Sequence, residues 1–405
     1  MRGVSLLSKF FSLLALLTVS EASAVAKRGA QTSEASCTLK ASGGDDAPQF
    51  LAAAASCSTV TIPVGTTLNI ETRLNMTGLS NLNINLQGTI RFDPNIPYWT
   101  GNGFFIPFQT QITFWLLGGK NIVLSGGGTL DGAGQAWYDA FASNSSLLRP
   151  IILTLNQANN AVVENIRMIN SPEWFNLVNE CNDVTFNNIT INAVSTSKNF
   201  ISNTDGWDIY RSDSVTIKNS VINNGDDCVS FKPNSTNILV SNLNCNGSHG
   251  ISVGSLGQFS GVFDIVQNVT AIGIQMSNAE NGARIKAFAG DNVGSGHVQN
   301  VTFQNFVVNN VDSPVVIDQC YETAASACEE FPSNVVIEDI FFNNISGTGS
   351  GSEVASLDCS PDGRCSGINV NNLNLKGAGG KTTFDCQNVV LAGNSASLFG
   401  TCSTT

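Results

Sequence analysis

The chain has 405 residues, of which 42% are hydrophobic and 12% are charged, and its formal net charge is −12. Affinity for nucleic acid comes largely from basic side chains that neutralise phosphates, so an acidic chain with only 19 lysines and arginines argues against that partner. The length permits a large buried core and, taken alone, two or three domains.

The first residues have the pattern of a secretory signal peptide. Two basic residues, Arg2 and Lys9, precede an apolar run over 10–19 that ends at small residues. This run is well short of the roughly 20 apolar residues that a membrane span needs, and no later segment is apolar enough. We predict a signal peptide over 1–24, a short propeptide over 25–28, and a secreted, extracellular chain that does not enter membranes.

A short helix is predicted close to the mature N-terminus. The run 45–55 places alanines after Asp46 and Pro48, residue types that favour a helix N-cap and a first turn. Such a helix is suited to cover the open end of a sheet, which otherwise invites pairing with another strand.

From about residue 80 onward a loose phrase recurs, in which Asn or Asp is followed by alternating β-branched residues and a further Asn. The spacing of roughly 20 to 35 residues is typical of repeat architectures. No stretch between the phrases has the length and 3.6-residue period of a crossover helix, and an antiparallel sandwich would show hairpin signals every 8 to 12 residues or so. We therefore predict an all-β fold, one right-handed parallel β-helix domain over 29–405, with Asn side chains hydrogen-bonded up the stack at its corners. Examples of the phrase begin at Asn81, Asp183, Ser214, Asn237, Val301, Asn334 and Ile368.

Eleven cysteines in a secreted chain point to disulfides, and with only two histidines a zinc site built from His and Cys is not expected. We expect no metal and no cofactor. Short separations leave Cys181 single, although spacing alone does not prove the connectivity. The pairs that they favour are Cys37–Cys57, Cys228–Cys245, Cys320–Cys328, Cys359–Cys365 and Cys386–Cys402.

Sequons for N-glycosylation fit passage through a eukaryotic secretory pathway. One of them, at Asn246, lies beside a candidate catalytic motif and is set aside as a glycan site. The predicted glycosylation sites are Asn75, Asn144, Asn188, Asn234, Asn268, Asn300 and Asn344.

Three short segments combine polar side chains with glycine, at 203–208, 225–228 and 247–250. They are about 21 to 23 residues apart, which is close to one coil of a β-helix, so we expect them to stack on neighbouring turns and share one exterior face. A fourth segment follows about 35 residues later, where period-2 alternation points Arg284 and Lys286 to the same side of a strand.

The carboxyl groups of these segments, Asp205, Asp226 and Asp227, would repel one another, which raises at least one pKa and keeps a proton for a leaving group. Inverting glycoside hydrolysis needs one protonated and one ionised carboxyl group, because the acid protonates the departing oxygen while the carboxylate activates water. The two carboxyl groups then stand roughly 6.5–9.5 Å apart. Arg284 and Lys286 would bind a sugar carboxylate at the cleavage point.

His249 could share a proton with the general acid, since a histidine pKa lies near the working range. Taken singly, each segment also has a simpler interpretation. Asn-Thr-Asp-Gly is typical of turns, Gly-Asp-Asp of loops or calcium-coordinating patches, and Arg-x-Lys of solvated strands. Four such segments in order, at coil-like spacing, indicate a catalytic cleft.

The set resembles the motifs of the polygalacturonases, glycoside hydrolase family 28. The family pattern Asn-Thr-Asp, Asp-Asp, Gly-His-Gly and Arg-Ile-Lys appears here at 203–205, 226–227, 248–250 and 284–286. The resemblance extends over most of the chain, and implies a right-handed parallel β-helix with an open cleft. It also implies inverting hydrolysis of α-1,4-galacturonosidic bonds in pectin or polygalacturonate, which would be the binding partner.

The same resemblance implies roles for individual residues. Asp226 would be the proton donor, assisted by His249. Asp205 and Asp227 would hold the hydrolytic water. The substrate-binding residues that the resemblance implies are Asn203, Arg284, Lys286 and Tyr321.

Several departures from the endo-acting members look like the fungal exopolygalacturonases, which remove single galacturonic acid units from the non-reducing end. Gly225 precedes the paired aspartates, Ser248 precedes the histidine, and Trp207 stands where endo enzymes often have Phe. The additional cysteines Cys320 and Cys328 are a fourth such trait.

Exo action needs a cleft that is closed at one end, and the aromatic-rich segments 94–115 and 137–149 are candidates for that wall. The alternatives are an endopolygalacturonase or a hydrolase of xylogalacturonan or rhamnogalacturonan. Further from the pattern are a pectate lyase, which uses calcium and a basic residue, and a non-catalytic β-helix binding protein. We expect a monomer.

Overall fold

The alternating phrases form stacked parallel strands in a computed structural model, which describes residues 35–404. The predicted signal peptide, 1–24, and propeptide, 25–28, lie outside the described residues and stay predictions. The strand pairing confirms the predicted fold class, a right-handed parallel β-helix with a short helix near its N-terminal end.

Twenty-seven strands build the described part of the chain. The first nine are β1 Ser36–Thr38, β2 Thr59–Ile62, β3 Thr67–Ile70, β4 Leu74–Leu86, β5 Thr89–Phe92, β6 Phe104–Ile106, β7 Gln111–Thr113, β8 Trp115–Ser125 and β9 Thr129–Asp131. The next nine are β10 Pro150–Ile151, β11 Leu153–Ile169, β12 Asn176–Asn179, β13 Asn182–Asn192, β14 Trp207–Tyr210, β15 Asp213–Asn223, β16 Val229–Phe231, β17 Ser235–Asn246 and β18 Ile251–Leu256. The last nine are β19 Phe263–Ser277, β20 Asn281–Ala287, β21 Ser295–Val311, β22 Ser313–Asp318, β23 Asn334–Gly349, β24 Glu353–Asp358, β25 Cys365–Lys376, β26 Thr383–Gln387 and β27 Val389–Ala392.

Helices are few and short. Within residues 35–404, none of them reaches the length and hydropathy of a transmembrane span. The α-helices are α1 Ala47–Ser56, α2 Ile96–Asn102, α3 Gln135–Phe141 and α4 Ala325–Glu330, and the 3-10 turns are Phe108–Thr110, Ala378–Gly380 and Ala396–Leu398.

Each coil from β11 onward contributes one long strand and one short strand, and like strands pair in parallel from coil to coil. The short strands β12, β14, β16, β18 and β20 form one such column. Within it Trp207 lies opposite Asn176 on one side and Val229 on the other. Residues at equivalent positions of successive coils are therefore stacked above one another, which is what assembles the site described below.

The core runs along the inside of the coil. Val215, Ile238 and Val269 occupy one stacked position of the long strands, and all three are buried. Burial of each such side chain stabilises the fold by roughly 1.5–3 kcal/mol relative to exposure. The period-2 alternation seen in the sequence thus separates core side chains from the outer polar ones.

Asn side chains form the predicted ladders at the corners. The amide nitrogen of each Asn donates to the amide oxygen of the Asn one coil earlier, as Asn278 does to Asn246 at 2.9 Å. Corner residues such as Asn278 adopt positive φ, which Asn tolerates better than other non-glycine residues. One ladder runs through Asn192, Asn223, Asn246, Asn278 and Asn310.

The N-terminal helix α1 begins after Asp46, as predicted, and Pro48 lies in its first turn. The carboxylate of Asp46 does not cap the helix. It accepts instead from the backbone nitrogens of Ser42 at 2.8 Å and Asn69 at 2.9 Å. The contact of Asp46 with Asn69 holds the helix against the coil. The side chain of Asp45 accepts the hydrogen bond from the Ala47 nitrogen, at 3.0 Å.

The two aromatic-rich segments meet in a small sheet separate from the main coil. Strand β7 pairs antiparallel with β6 and parallel with β10, so segment 94–115 is joined to the chain just after 137–149. A second hydrophobic cluster packs beneath this sheet. Its buried members are Ile106, Phe108, Ile151, Trp174 and Leu177.

The five predicted disulfides all form, and Cys181 is buried and unpaired. Of the predicted glycosylation sites, Asn234 is half-buried and the others are exposed. Their occupancy stays a prediction.

Candidate active site

Four of the predicted segments converge because of strand register. Asp205, Asp226 and His249 lie in the turns that lead into β14, β16 and β18, and these three strands pair in order. The next strand of the column, β20, carries Arg284 opposite Ser252. One face of the coil therefore presents all four segments, as predicted.

The alternation predicted for the fourth segment also holds. Ile285 is fully buried in the core, while Arg284 and Lys286 project from the other side of β20 and are largely buried there. The cation of Arg284 lies 5.2 Å from the ring centre of Tyr321, and that of Lys286 lies at the same distance. The predicted residue Tyr321 thus joins the cluster from the turn after β22.

The cluster forms the floor of a cleft of about 520 Å³, within the roughly 300–1,000 Å³ range typical of ligand sites. Two further predicted residues contact residues that line it, Arg284 with Tyr321 and His249 with Asp226. Six predicted residues line the cleft, Asn203, Asp205, Asp226, Asp227, Lys286 and Tyr321.

The three aspartates are closer than we predicted. One carboxyl oxygen from each of Asp205, Asp226 and Asp227 lies within 4.8 Å of the others, so the expected separation of roughly 6.5–9.5 Å is wrong for this cluster. Stacked turns are only one strand spacing apart, about 4.8 Å, which accounts for the shorter distance. The three aspartates differ in exposure. Asp227 is 0% and Asp205 3% exposed, whereas 16% of the Asp226 side chain is exposed.

Asp227 is held as a carboxylate. Ser252 Oγ donates to its Oδ1 at 2.6 Å, and Lys286 Nζ donates to its Oδ2 at 2.8 Å. Burial alone would raise its pKa, but the charges of Lys286 and Arg284 outweigh burial and hold the pKa well below its usual range. Lys286 was predicted to bind substrate, and its first partner in the folded chain is this carboxylate.

Asp226 is surrounded by donors. Its Oδ1 accepts from the Asp227 backbone nitrogen at 2.8 Å and faces His249 Nδ1 at 3.2 Å, and its Oδ2 accepts from Asn203 Nδ2 at 3.3 Å. Burial raises the pKa of Asp226, but the hydrogen bond from His249 contributes to a net lowering. Burial lowers the pKa of His249, and the facing Asp226 carboxylate turns this into a net increase.

The raised carboxyl pKa that we predicted for the cluster falls on Asp205. Burial is the largest cause, and the neighbouring Asp208 and Asp226 charges add to it, so the pKa of Asp205 lies well above its ordinary value. The expectation was that the general acid would show this rise, and Asp226 does not. The reason is that Asp226 has His249 and Asn203 as donors, whereas the charges of Asp208 and Asp226 add to the effect of burial on Asp205.

Sequence reasoning missed a buried ion pair in the cleft floor. Lys232 Nζ lies 3.2 Å from Asp208 Oδ1, and both side chains are almost fully buried. Burial raises the pKa of Asp208 to about 7, although Lys232 opposes the rise. A usable signal was present, since Lys232 is a rare basic residue one position after β16 and Asp208 lies in the first polar segment.

A second missed group lies at the wall end of the cleft. Burial raises the pKa of Glu173 to about 7, even though Arg149 opposes the rise from 3.9 Å. With its nitrogen toward Glu173, the Gln111 amide donates to Oε2 at 2.8 Å. Arg149 entered the prediction only as the last residue of a wall segment.

The wall reaches over the catalytic turns. Phe108 stacks on Tyr210 with ring centres 3.9 Å apart, and Gln109 Nε2 donates to Gln258 Oε1 at 3.1 Å. Gln258 belongs to the turn after β18, on the far side of the catalytic segments. Wall residues from both predicted segments line the cleft, including Pro107, Gln111, Phe141, Leu148 and Arg149.

Among the described residues, the three aspartates are also the one group whose oxygens lie close enough together to share a metal ion. Their donor set fits a divalent cation poorly, because Lys286 already lies at 2.8 Å from Asp227 and supplies positive charge at that point. The expectation of a metal-independent site stays a prediction.

Comparison with known proteins gives a consistent result. A sequence model of the glycosyl hydrolases family 28 matches residues 53–398. The chain is 47% identical over 371 residues to an exopolygalacturonase of Cochliobolus carbonum, and the alignment covers 87% of this chain and 83% of that one. It is 42% identical over 364 residues to exopolygalacturonase X-1 of Emericella nidulans, with 86% and 84% covered.

A similar solved structure is that of the endo-xylogalacturonan hydrolase from Aspergillus tubingensis. It superposes with a TM-score of 0.83 at 35% identity, over 92% of this chain and 99% of that one.

Proposed function

The chain belongs to glycosyl hydrolase family 28, and on that premise we propose that it removes galacturonic acid units from the non-reducing end of polygalacturonate by inverting hydrolysis of α-1,4 bonds. One observation carries the chemistry. A partly exposed carboxyl, Asp226, has an oxygen within 4.8 Å of oxygens of two buried ones, Asp205 and Asp227.

Asp226 is the proton donor in this proposal because it is the most exposed of the three carboxyls. Its proton passes to the glycosidic oxygen as the bond from that oxygen to the anomeric carbon breaks. A water held by Asp205 and Asp227 attacks the anomeric carbon from the opposite side, and its proton passes to Asp205. Asp226 ends as a carboxylate and Asp205 as the acid.

That end state matches the proton distribution that the surroundings favour, with a raised pKa on Asp205 and a lowered one on Asp226. A second turnover needs Asp205 to release its proton to water and Asp226 to take up a new one. His249, whose pKa is raised and whose Nδ1 faces Asp226 at 3.2 Å, is placed to supply it. Because each turnover changes the protonation of both carboxyls, activity should depend on pH through the pair.

Inversion is favoured over a covalent intermediate on Asp227, because this carboxylate is poorly placed as a nucleophile. Both oxygens of Asp227 are occupied by Ser252 and Lys286, and its side chain is 0% exposed. A carboxylate in that position can orient a water but cannot reach an anomeric carbon. The short distance between the aspartates therefore does not by itself imply retention.

Substrate binding is assigned to Asn203, Arg284, Lys286 and Tyr321. Arg284 and Lys286 bring two cations to the end of the cleft where Tyr321 lies, and a uronate carboxylate is the group on this substrate that matches them.

Exo action follows from the wall and from the relatives. Residues 107–111 and 141–149 close the cleft on one side, and Gln109 reaches across to Gln258. The two exopolygalacturonases are 42% and 47% identical to this chain, whereas the endo-xylogalacturonan hydrolase is 35% identical. An endo cut on polygalacturonate or xylogalacturonan is the second candidate.

Secretion is proposed from the N-terminal pattern over 1–24, and five disulfides suit an oxidising compartment. Action as a monomer is also proposed, since the described coil buries its core within one chain.

Viscometry of polygalacturonate tests the function. An exo enzyme raises reducing ends well before viscosity falls, because each cut shortens a chain by one unit. Early loss of viscosity would identify an endo cut, and a product that absorbs in the ultraviolet and disappears with chelator would identify a lyase.

A further inference from the structure

Arg149 connects the cleft wall to the catalytic floor. It is the last residue before β10, its side chain is 2% exposed, and its guanidinium lies 3.6 Å from the ring centre of Phe141. Nη1 donates to the carbonyl oxygens of Pro172 at 2.9 Å and Ser202 at 2.7 Å. Three separate stretches of chain therefore hold this side chain in one place.

The other terminal nitrogen of the guanidinium, Nη2, reaches a residue of the site. Arg149 Nη2 donates to Asn203 Oδ1 at 2.7 Å. A guanidinium can only donate, so this bond fixes which end of the Asn203 amide is the oxygen. The nitrogen end must then face the other way, and there it donates to Asp226 Oδ2 at 3.3 Å.

The orientation of Asn203 has a chemical consequence. With its nitrogen toward Asp226, the amide directs Oδ2 of the proton donor, whose Oδ1 already accepts from the Asp227 backbone. With the amide turned over, two oxygens would face each other and the Asp226 side chain would move away. The backbone of Asn203 has φ of 55°, so the main chain around it is also held in an uncommon conformation.

We propose that Arg149 is a positioning residue, which orients the Asn203 amide and through it aims the Asp226 carboxyl at the glycosidic oxygen. The wall that closes the cleft therefore also orients the side chain of the proton donor. The inference rests on the proposed hydrolase function, and it assigns Arg149 a role in turnover and none in substrate affinity.

A double-mutant cycle tests the inference on galacturonate oligomers, with R149M, N203A and the combined variant. Methionine keeps the length of the side chain without any donor. We expect kcat of R149M to fall by about 100-fold, because small misplacements of a reacting group cost that much, while KM changes less than about threefold. The combined variant should lie within about threefold of N203A, since both changes break the same chain of contacts.

The outcomes separate the two levels of the proposal. If the unmodified protein releases no galacturonic acid, the function itself is wrong. If it does, and R149M keeps its kcat or the two losses multiply, the role of Arg149 is wrong. Should R149M not fold, R149K decides, because lysine keeps the charge without the fork. We expect a kcat loss of about tenfold at unchanged KM, whereas a wild-type kcat would overturn the inference.

Discussion

The buried titratable groups of the cleft explain why charge alone does not identify the acid. Asp205, Asp226 and Asp227 are neighbours, yet Lys286, His249 and the surrounding carboxylates move their pKa values in different directions. In our proposal the proton donor is recognised by its exposure, and it exchanges its proton with the facing His249.

Replacing Asp226 with Asn tests the donor directly. An amide cannot donate a proton to the leaving oxygen, so we expect kcat on galacturonate oligomers to fall by about 10²- to 10⁴-fold. The melting temperature should stay within a few degrees. Asp362, an exposed residue in the turn after β24, is the matched control, and D362N should keep full activity. Near-normal turnover by D226N would remove Asp226 as the acid.

Glu173 should make stability depend on pH. Its pKa rises from 4.5 to about 7 on folding, so between these values the folded chain binds more protons than the unfolded chain, and the free energy of unfolding falls as pH rises. E173Q lacks this group. From pH 4.5 to above 7 the variant should lose less stability than the parent, by at most about 3 kcal/mol.

Denaturant titrations at several pH values measure this difference. The exposed Glu329 provides the matched control, through the same change of side chain in E329Q. Parallel curves for E173Q and the parent would show that the Glu173 pKa is not raised.

Much of the site was predictable at the residue scale, because strand register converts sequence spacing into proximity. Asp205, Asp226 and His249 were brought together as expected. Arg149 was not found because it belongs to a wall segment that follows no repeat. Lys232 was not found because its role depends on burial against Asp208.

At the scale of the elements, the wall is an addition to the coil. Strands β6, β7 and β10 form a sheet of their own, and this sheet packs on a separate hydrophobic cluster. The aromatic composition of segments 94–115 and 137–149 suggested that they form the cleft wall, but the pairing of their strands could not be predicted. The wall strands belong to no repeated phrase, and β7 pairs with a strand almost 40 residues later.

Loosening the wall should change the products. Phe108 is 7% exposed and stacks on Tyr210, so F108A removes both a core side chain and the contact that holds the wall over the cleft. We expect a stability loss of about 3 kcal/mol and oligomers of several units among the early products. Product chromatography from polygalacturonate provides the measurement.

The control lies in the neighbouring strand β6. Phe105 is 59% exposed, and F105A should leave both stability and products unchanged. Galacturonic acid as the sole early product of F108A would show that the wall does not decide where the chain is cut.

At the scale of the whole molecule, stacking stabilises the corners as well as the core. Asn278 donates to Asn246 at 2.9 Å and accepts from Asn310 at 3.1 Å, with a φ of 49°. N278A loses both bonds and places alanine in the left-handed region, so it should destabilise by about 2 kcal/mol. N278G should lie between N278A and the parent, because glycine removes only the backbone cost.

Thermal or denaturant unfolding of the two variants separates these contributions. Equal stability of N278A and the parent would mean that the ladder contributes nothing. The ladder, the single coil and its parallel strands were all visible in the period-2 phrases, because a repeat that buries its apolar face only by stacking has few other solutions.

The central claim is that this cleft removes one unit at a time from the non-reducing end. A galacturonate oligomer labelled at its reducing end, followed over time, tests it most directly. We expect the label on a descending ladder of oligomers, each one unit shorter, with unlabelled galacturonic acid as the product released. Early appearance of short labelled fragments without the intermediate lengths would contradict the account.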